Sequence, residues 1–161
     1  MSAESAALEL REQRAYAAIF WGGLLAGILD ITAAFVNSAL VAGRSPMWVL
    51  QSIASGLLGA ESYKGGLKTA ALGAMLHFLI AFVAATVYYG ASRTYKFLVE
   101  RAIVFGLLYG VAVYLFMYLV VLPLTFHRNF LHPLAAVVTG LVIHMLCVGL
   151  PISLVVRRYS K

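Results

Sequence analysis

The chain has 161 residues, of which 63% are hydrophobic and only 11% are charged. A soluble domain is typically about half apolar and about a quarter charged, so the composition excludes that class and indicates a membrane protein. The net charge of +6 is explained by basic residues in the predicted loops, and we expect no nucleic-acid binding.

Four nearly uncharged runs are long enough to cross a hydrocarbon core of about 30 Å, which takes about 20 helical residues. They predict transmembrane helices at residues 16–42, 69–92, 102–126 and 133–156. Because these runs take up most of the chain, we predict one transmembrane domain over residues 1–161. The predicted fold is all-α, an integral membrane four-helix bundle. The lone cysteine, Cys147, allows no disulfide within the chain.

Small residues on two of the runs predict close helix packing. Helix one carries Gly23-x-x-x-Gly27 and helix three carries Gly106-x-x-x-Gly110. In lipid, helices associate by close backbone approach at such residues. Helix one continues this face to Asp30, and a carboxylate against lipid would cost several kcal/mol. We therefore expect this face to be buried in protein.

An additional short helix is predicted at residues 46–59, between helices one and two. Ser45 suits the N-cap, Pro46 the first helical position and Gly59 the exit. The segment is too short to span the bilayer, so it is either interfacial or re-entrant. In the re-entrant case three polar side chains would line an aqueous entrance: Gln51, Ser52 and Ser55.

Three ionisable residues lie inside the apolar runs: Asp30, His77 and His144. Counting from the outer helix ends at 1.5 Å per residue puts all three roughly 13–18 Å below the outer surface. Tyr114 of helix three reaches a similar depth. All four helices can therefore contribute a polar group to one layer near the midplane.

Four interpretations of this layer stay open. The groups could be structural, bonded between helices, or they could form a proton or ion pathway, because His changes charge near neutral pH. His77 and His144 could also be the axial ligands of a haem b between helices two and four. The fourth interpretation is a metal site of both imidazoles and the Asp30 carboxylate.

A faint internal repeat relates the two halves of the chain. Gly23-Leu-Leu-Ala-Gly27 matches Gly106-Leu-Leu-Tyr-Gly110, and Gly73-x-x-x-His77 matches Gly140-x-x-x-His144. A duplicated helical hairpin would produce these matches. It would also put the two histidines in equivalent positions.

Basic residues in the predicted loops indicate the orientation. The N-terminus, second loop and C-terminus together hold eight Lys and Arg, against four in the first and third loops. By the positive-inside rule both termini are predicted to be cytoplasmic. Tyr88 and Tyr89, near the inner end of helix two, are predicted to be interfacial anchors. In the short third loop, His127 and His132 are expected to be solvated or to bind metal weakly.

Motifs of soluble enzymes are absent from the sequence: it has no His-Glu-x-x-His, no Gly-x-Ser-x-Gly and no phosphate-binding glycine loop. We therefore expect no enzymatic activity.

Residues 27–31 (Gly-Ile-Leu-Asp-Ile), 51–59 (Gln-Ser-Ile-Ala-Ser-Gly-Leu-Leu-Gly) and 120–124 (Val-Val-Leu-Pro-Leu) carry a resemblance to known proteins. These segments resemble a family of small, uncharacterised four-helix proteins of the bacterial inner membrane. The resemblance implies four helices and that membrane, and it implies no activity, ligand or catalytic residue.

The sequence thus favours a small multi-pass inner-membrane protein, a homo-oligomer with a transport- or channel-like role. Its site for proton or ion passage would be Asp30, His77, His144 and Tyr114. No cofactor is expected in this case. The first alternative is a non-catalytic structural or accessory subunit of a larger membrane complex. The second is a bis-histidine haem b electron-transfer protein.

Overall fold

The structure, a computed structural model, describes residues 3–123 and 133–160, and all regular elements in these two ranges are helical. The helices are α1 (Ala3–Ala42), α2 (Pro46–Leu58), α3 (Gly66–Thr94), α4 (Phe97–Glu100), α5 (Ala102–Val121) and α6 (Leu134–Tyr159). As predicted, four of them, α1, α3, α5 and α6, are long and apolar enough to cross a membrane. This indicates a multi-pass membrane protein.

The helix ends differ from the predicted spans mainly at α1. This helix begins at Ala3 instead of residue 16, because the preceding segment is rich in Ala, Leu, Glu and Arg, which favour helix. With 40 residues, α1 is about 60 Å long, so about half of it exceeds a hydrocarbon core of about 30 Å. Residues 124–126, predicted to end the third helix, lie outside the described residues.

The short helix α2 is bounded by residues with capping geometry. The hydroxyl of Ser45 accepts a hydrogen bond from the backbone N–H of Trp48 at 3.2 Å, and Pro46 occupies the first helical position. The helix ends where Gly59 adopts a φ of +60°, which costs little only for glycine. A 3-10 turn (Gly59–Lys64) then leads into α3.

The long helices pack in the order α3, α1, α6, α5, and α2 packs on the outer part of α3. We call the end of the bundle that holds the start of α1 and the ends of α3 and α6 the inner end, and the opposite end the outer end. Near the inner end α5 also meets α3, where the hydroxyl of Tyr109 donates to the carbonyl of Ala84 at 2.7 Å.

The predicted glycine faces are used for packing within this one chain. A Cβ on Gly23 or Gly27 of α1 would overlap Phe82 or Phe78 of α3, respectively. A Cβ on Gly106 or Gly110 of α5 would overlap α6. These glycines therefore allow the close helix–helix approach that their spacing in the sequence predicted.

Both α5 and α6 contain a π-helical turn shortly before a proline. The turn Met117–Val121 precedes Pro123, and the turn His144–Gly149 precedes Pro151. Proline lacks an N–H and its ring clashes with the carbonyl four residues earlier, and in both helices that carbonyl lies inside the π turn. The irregularity before Pro151 thus takes the form of a widened turn.

A small-residue core fills the inner half of the bundle. Its buried members are Ala18, Ala26, Ala84, Ala85, Tyr88, Val148, Ile152 and Val156. The predicted interfacial role of Tyr88 is wrong, because only 2% of this residue is exposed and its hydroxyl donates to the Leu98 carbonyl at 3.0 Å. Its ring packs against Tyr109 with centroids 4.9 Å apart.

Candidate functional site

One cavity of about 110 Å³ lies in the middle of the bundle, and the three predicted ionisable residues all line it. Asp30 comes from α1, His77 from α3 and His144 from α6. The rest of the wall is apolar or backbone: Ala26, Gly27, Ile53, Ile80, Ala81, Ala84, Val113, Met117 and Val148. The cavity has room for about three or four water molecules at about 30 Å³ each.

The carboxylate of Asp30 is half-buried and receives no hydrogen bond from the described residues. Cys147 of α6 lies within electrostatic reach of this carboxylate. A carboxylate offers several lone pairs for hydrogen bonds. We therefore expect water in the cavity to bind the Asp30 carboxylate.

His77 ties α3 to α1 at the level of the cavity. Its Nε2 lies 2.9 Å from the carbonyl oxygen of Gly27. A carbonyl can only accept, so Nε2 carries the hydrogen, and in the neutral imidazole Nδ1 is left as the acceptor. The helix-one glycine that packs on Phe78 thus also fixes the tautomer of His77.

His144 has the opposite tautomer. Its Nδ1 lies 2.9 Å from the carbonyl oxygen of Gly140, one turn earlier in α6, so Nδ1 donates and Nε2 is the acceptor of the neutral ring. Tyr114 of α5 does not line the cavity, but its ring meets His144 edge to face, with centroids 5.3 Å apart. Gly140 leaves the space that the Tyr114 ring occupies.

The two predicted repeat units show a similar contact. In the first, Gly27 of α1 accepts the hydrogen bond of His77. In the second, Gly110 of α5 packs directly on the backbone of His144. In each half, the second glycine of the Gly-x-x-x-Gly motif therefore touches the histidine of the following long helix.

The cavity is covered on its outer and inner sides by different elements. Ile53 of α2 lines it from the outer side, and the sequence contained no signal that would have singled out this residue. The small-residue core lies on the inner side, where Ala26, Ala84 and Val148 belong to both the core and the cavity wall. The small-residue core thus lies between the cavity and the inner end of the bundle.

The three predicted entrance residues are bonded within the chain. Gln51 Nε2 donates to the Gly66 carbonyl at 3.2 Å and to Thr69 Oγ1 at 3.4 Å. The hydroxyls of Ser52 and Ser55 donate to carbonyls of α2 itself, each at 2.6 Å. Gln51 therefore anchors α2 to α3, and the geometry gives no support to an aqueous entrance at these side chains.

A haem between His77 and His144 does not fit this arrangement. The Nε2 of His77 donates to the Gly27 carbonyl and has no lone pair to offer iron, and the 110 Å³ cavity is much smaller than a porphyrin. Among residues 3–123 and 133–160, no group of three His, Cys, Asp or Glu side chains could hold a metal ion. His127 and His132 lie outside the described residues.

The chemistry that these groups can perform is proton exchange through water. Each neutral imidazole keeps one acceptor nitrogen and becomes a double donor when protonated. The Asp30 carboxylate can accept a proton from water or return it. Comparisons of the chain with protein-family models, with curated proteins and with solved structures gave no match, so the resemblance to a family of small inner-membrane proteins stays a prediction.

Proposed function

We propose that this protein is a small multi-pass membrane protein with a transport- or channel-like role, and that protons pass through its central cavity. The observation that carries this proposal is that Asp30, His77 and His144, from three helices, line one cavity. Ionisable groups inside a membrane are costly and typically mark ion or proton pathways.

The size of the cavity favours protons over hydrated ions. A space for about three or four waters can carry a hydrogen-bonded chain between a carboxylate and two imidazoles. It is too narrow for an ion with a full hydration shell. Met117, at the π turn of α5, and His144, at the π turn of α6, both line the cavity, and π turns are frequent at functional sites.

The location and assembly belong to the same proposal. We propose the bacterial inner membrane, with both termini cytoplasmic because Lys and Arg concentrate in the loops of the inner end. We propose no enzymatic activity, and α2 would lie in the outer interface or enter the bilayer from that side. We also propose that the protein forms a homo-oligomer or joins a larger complex, although one chain supplies all residues that line the cavity.

The main alternative is a structural or accessory subunit of a larger complex. Its strongest support in the sequence was the pair of small-residue faces, which could have received helices of a partner. Gly23, Gly27, Gly106 and Gly110 pack within the chain instead, so these faces no longer require a partner. The accessory subunit would conduct no protons when reconstituted alone.

Proton flux into liposomes tests the proposal. Purified protein is reconstituted with a pH-sensitive dye inside, and a potassium gradient with valinomycin supplies the driving potential. We expect flux well above that of protein-free liposomes. Asp30→Asn keeps the shape of the side chain but cannot exchange a proton, so we expect flux to fall by about tenfold or more.

Thr86→Val is the matched control. Thr86 is an exposed residue of α3 outside the cavity, and its hydroxyl donates only to the Phe82 carbonyl of its own helix, at 2.8 Å. This variant should conduct like the parent. Absence of flux in the parent, or parental flux in Asp30→Asn, would contradict proton passage through this cavity.

A further inference from the structure

A second recess, of about 390 Å³, lies at the inner end of the bundle and is independent of the central cavity. It is formed by the first third of α1, the end of α3 and the end of α6. It exists because α1 continues as a helix before its apolar run and stands beside the two helix ends. We call it the arginine recess, after Arg11, Arg14 and Arg93, which line it.

The charges of the arginine recess are unbalanced. Of the residues that the structure describes, three arginines and one acidic residue, Glu12, line it. Among the described residues, none of the three arginines forms an ion pair. Arg93 stacks over the ring of Tyr89, 5.8 Å from its centroid, which holds its side chain against the wall.

A buried hydroxyl in the same recess lacks a partner. The Oγ of Ser160 is buried and has no hydrogen-bond partner among the described residues, although Ser160 lines the recess. Buried polar atoms without partners are rare and costly. An adjoining recess of about 280 Å³ shares Arg93 and Ser160, so these two residues line both spaces.

We propose that the arginine recess binds a phosphate group, with Arg11, Arg14 and Arg93 as its cationic ligands and the Ser160 hydroxyl as a neutral donor. Guanidinium groups bind phosphate oxygens with two parallel hydrogen bonds, and an anion would supply the acceptor that Ser160 lacks. The group would belong either to the headgroup of an anionic phospholipid or to a free phosphate compound.

Two probes distinguish these sources. Delipidated protein in a neutral detergent is titrated with inorganic phosphate by calorimetry. In parallel, native mass spectrometry measures retention of phosphatidylglycerol from an equal mixture with phosphatidylcholine. Saturable phosphate binding assigns a free compound, and selective retention of phosphatidylglycerol without phosphate binding assigns a headgroup. If the protein neither binds phosphate nor retains phosphatidylglycerol selectively, the proposal is wrong.

Two variants test the residues, and one variant is the control. Arg93→Gln should weaken the observed binding by about tenfold. Ser160→Ala should weaken it by roughly threefold without lowering the unfolding temperature of the unliganded protein, because its hydroxyl has no partner to lose. Arg158→Gln removes an equal charge from a neighbouring residue outside the recess and should bind like the parent.

The comparison between variants decides whether the recess is a specific site. If Arg158→Gln weakens binding as much as Arg93→Gln, the attraction is only that of the net charge, and the proposal is wrong. If Arg93→Gln fails to fold, binding by Ser160→Ala is compared with binding by Arg158→Gln instead. This comparison also distinguishes a specific site from attraction by the net charge. Parental binding by Ser160→Ala would exclude the hydroxyl and overturn the site as described.

Discussion

At the scale of single residues, Gly110 determines how closely α5 approaches α6. A Cβ at this position would lie 2.5 Å from the carbonyl oxygen of His144 and from the Cα of Met145. Both are backbone atoms, so a helix has to move. We expect Gly110→Ala to lower the free energy of unfolding by about 1–3 kcal/mol, measured by denaturant titration in detergent.

Gly90→Ala is the control for this substitution. Gly90 lies in α3, and a Cβ there meets no atom within 4 Å. Because alanine favours helix over glycine, the control should leave stability unchanged or raise it by up to about 1 kcal/mol. Equal stability of Gly110→Ala and the parent would contradict the close packing of α5 on α6.

At the residue scale, the sequence is most informative about ionisable residues in apolar helices, because few surroundings can accommodate them. Asp30, His77 and His144 stand out because a charge in a membrane helix needs protein or water around it. Counting residues from the helix ends predicted a common level for them, and the three residues line one cavity. Ile53 could not be found in this way, because an isoleucine in an apolar segment carries no signal. Tyr88 was misassigned because its sequence position fits an interface and a buried hydrogen bond equally well.

At the scale of elements, the attachment of α2 to α3 depends on Gln51. Only 6% of this residue is exposed, and its amide donates to two groups at the start of α3. We expect Gln51→Leu to lower the free energy of local opening of α2 by about 1 kcal/mol. Amide exchange in α2 should then be roughly fivefold faster, as measured by hydrogen–deuterium exchange.

Ser52→Ala provides the matched comparison within the same helix. The hydroxyl of Ser52 donates to the Val49 carbonyl of α2 and contributes no hydrogen bond to α3. Exchange in α2 should therefore stay close to that of the parent. If both variants exchange alike, Gln51 does not anchor α2.

The elements themselves were largely predictable, and their irregularities were not. Length and hydropathy are enough to find α1, α3, α5 and α6, because only a long apolar run satisfies a bilayer. Pro151, inside an apolar run, predicts a disturbed helix but not the form of the disturbance. A π turn is one of several ways to avoid the proline clash, so the sequence alone does not specify it.

At the scale of the whole molecule, most of the basic residues that the structure describes lie at the inner end. Arg11, Arg14 and Arg93 line one recess, whereas Arg44 stacks over Trp48 at the start of α2. In a Cys147→Ala background, we expect Arg44→Cys to react with an impermeant maleimide on intact spheroplasts. We expect Glu4→Cys to react only after lysis, because the inner end is predicted to be cytoplasmic.

The reverse labelling pattern would contradict the predicted orientation. Labelling of both variants on intact cells would instead place the two ends of α1 on the same side and exclude it as a membrane-spanning helix. The central cavity could then not lie near a bilayer midplane. Neither result would affect the packing contacts within the chain.

Our central proposal for the whole molecule is a water-filled polar layer between the inner apolar core and the outer helix α2. A density map of the protein in a lipid nanodisc, at a resolution that shows ordered water, tests it most directly. We expect water within hydrogen-bond distance of the Asp30 carboxylate, in a cavity shared with His77 and His144. A dry cavity, or an Asp30 side chain that points into lipid, would contradict the claim.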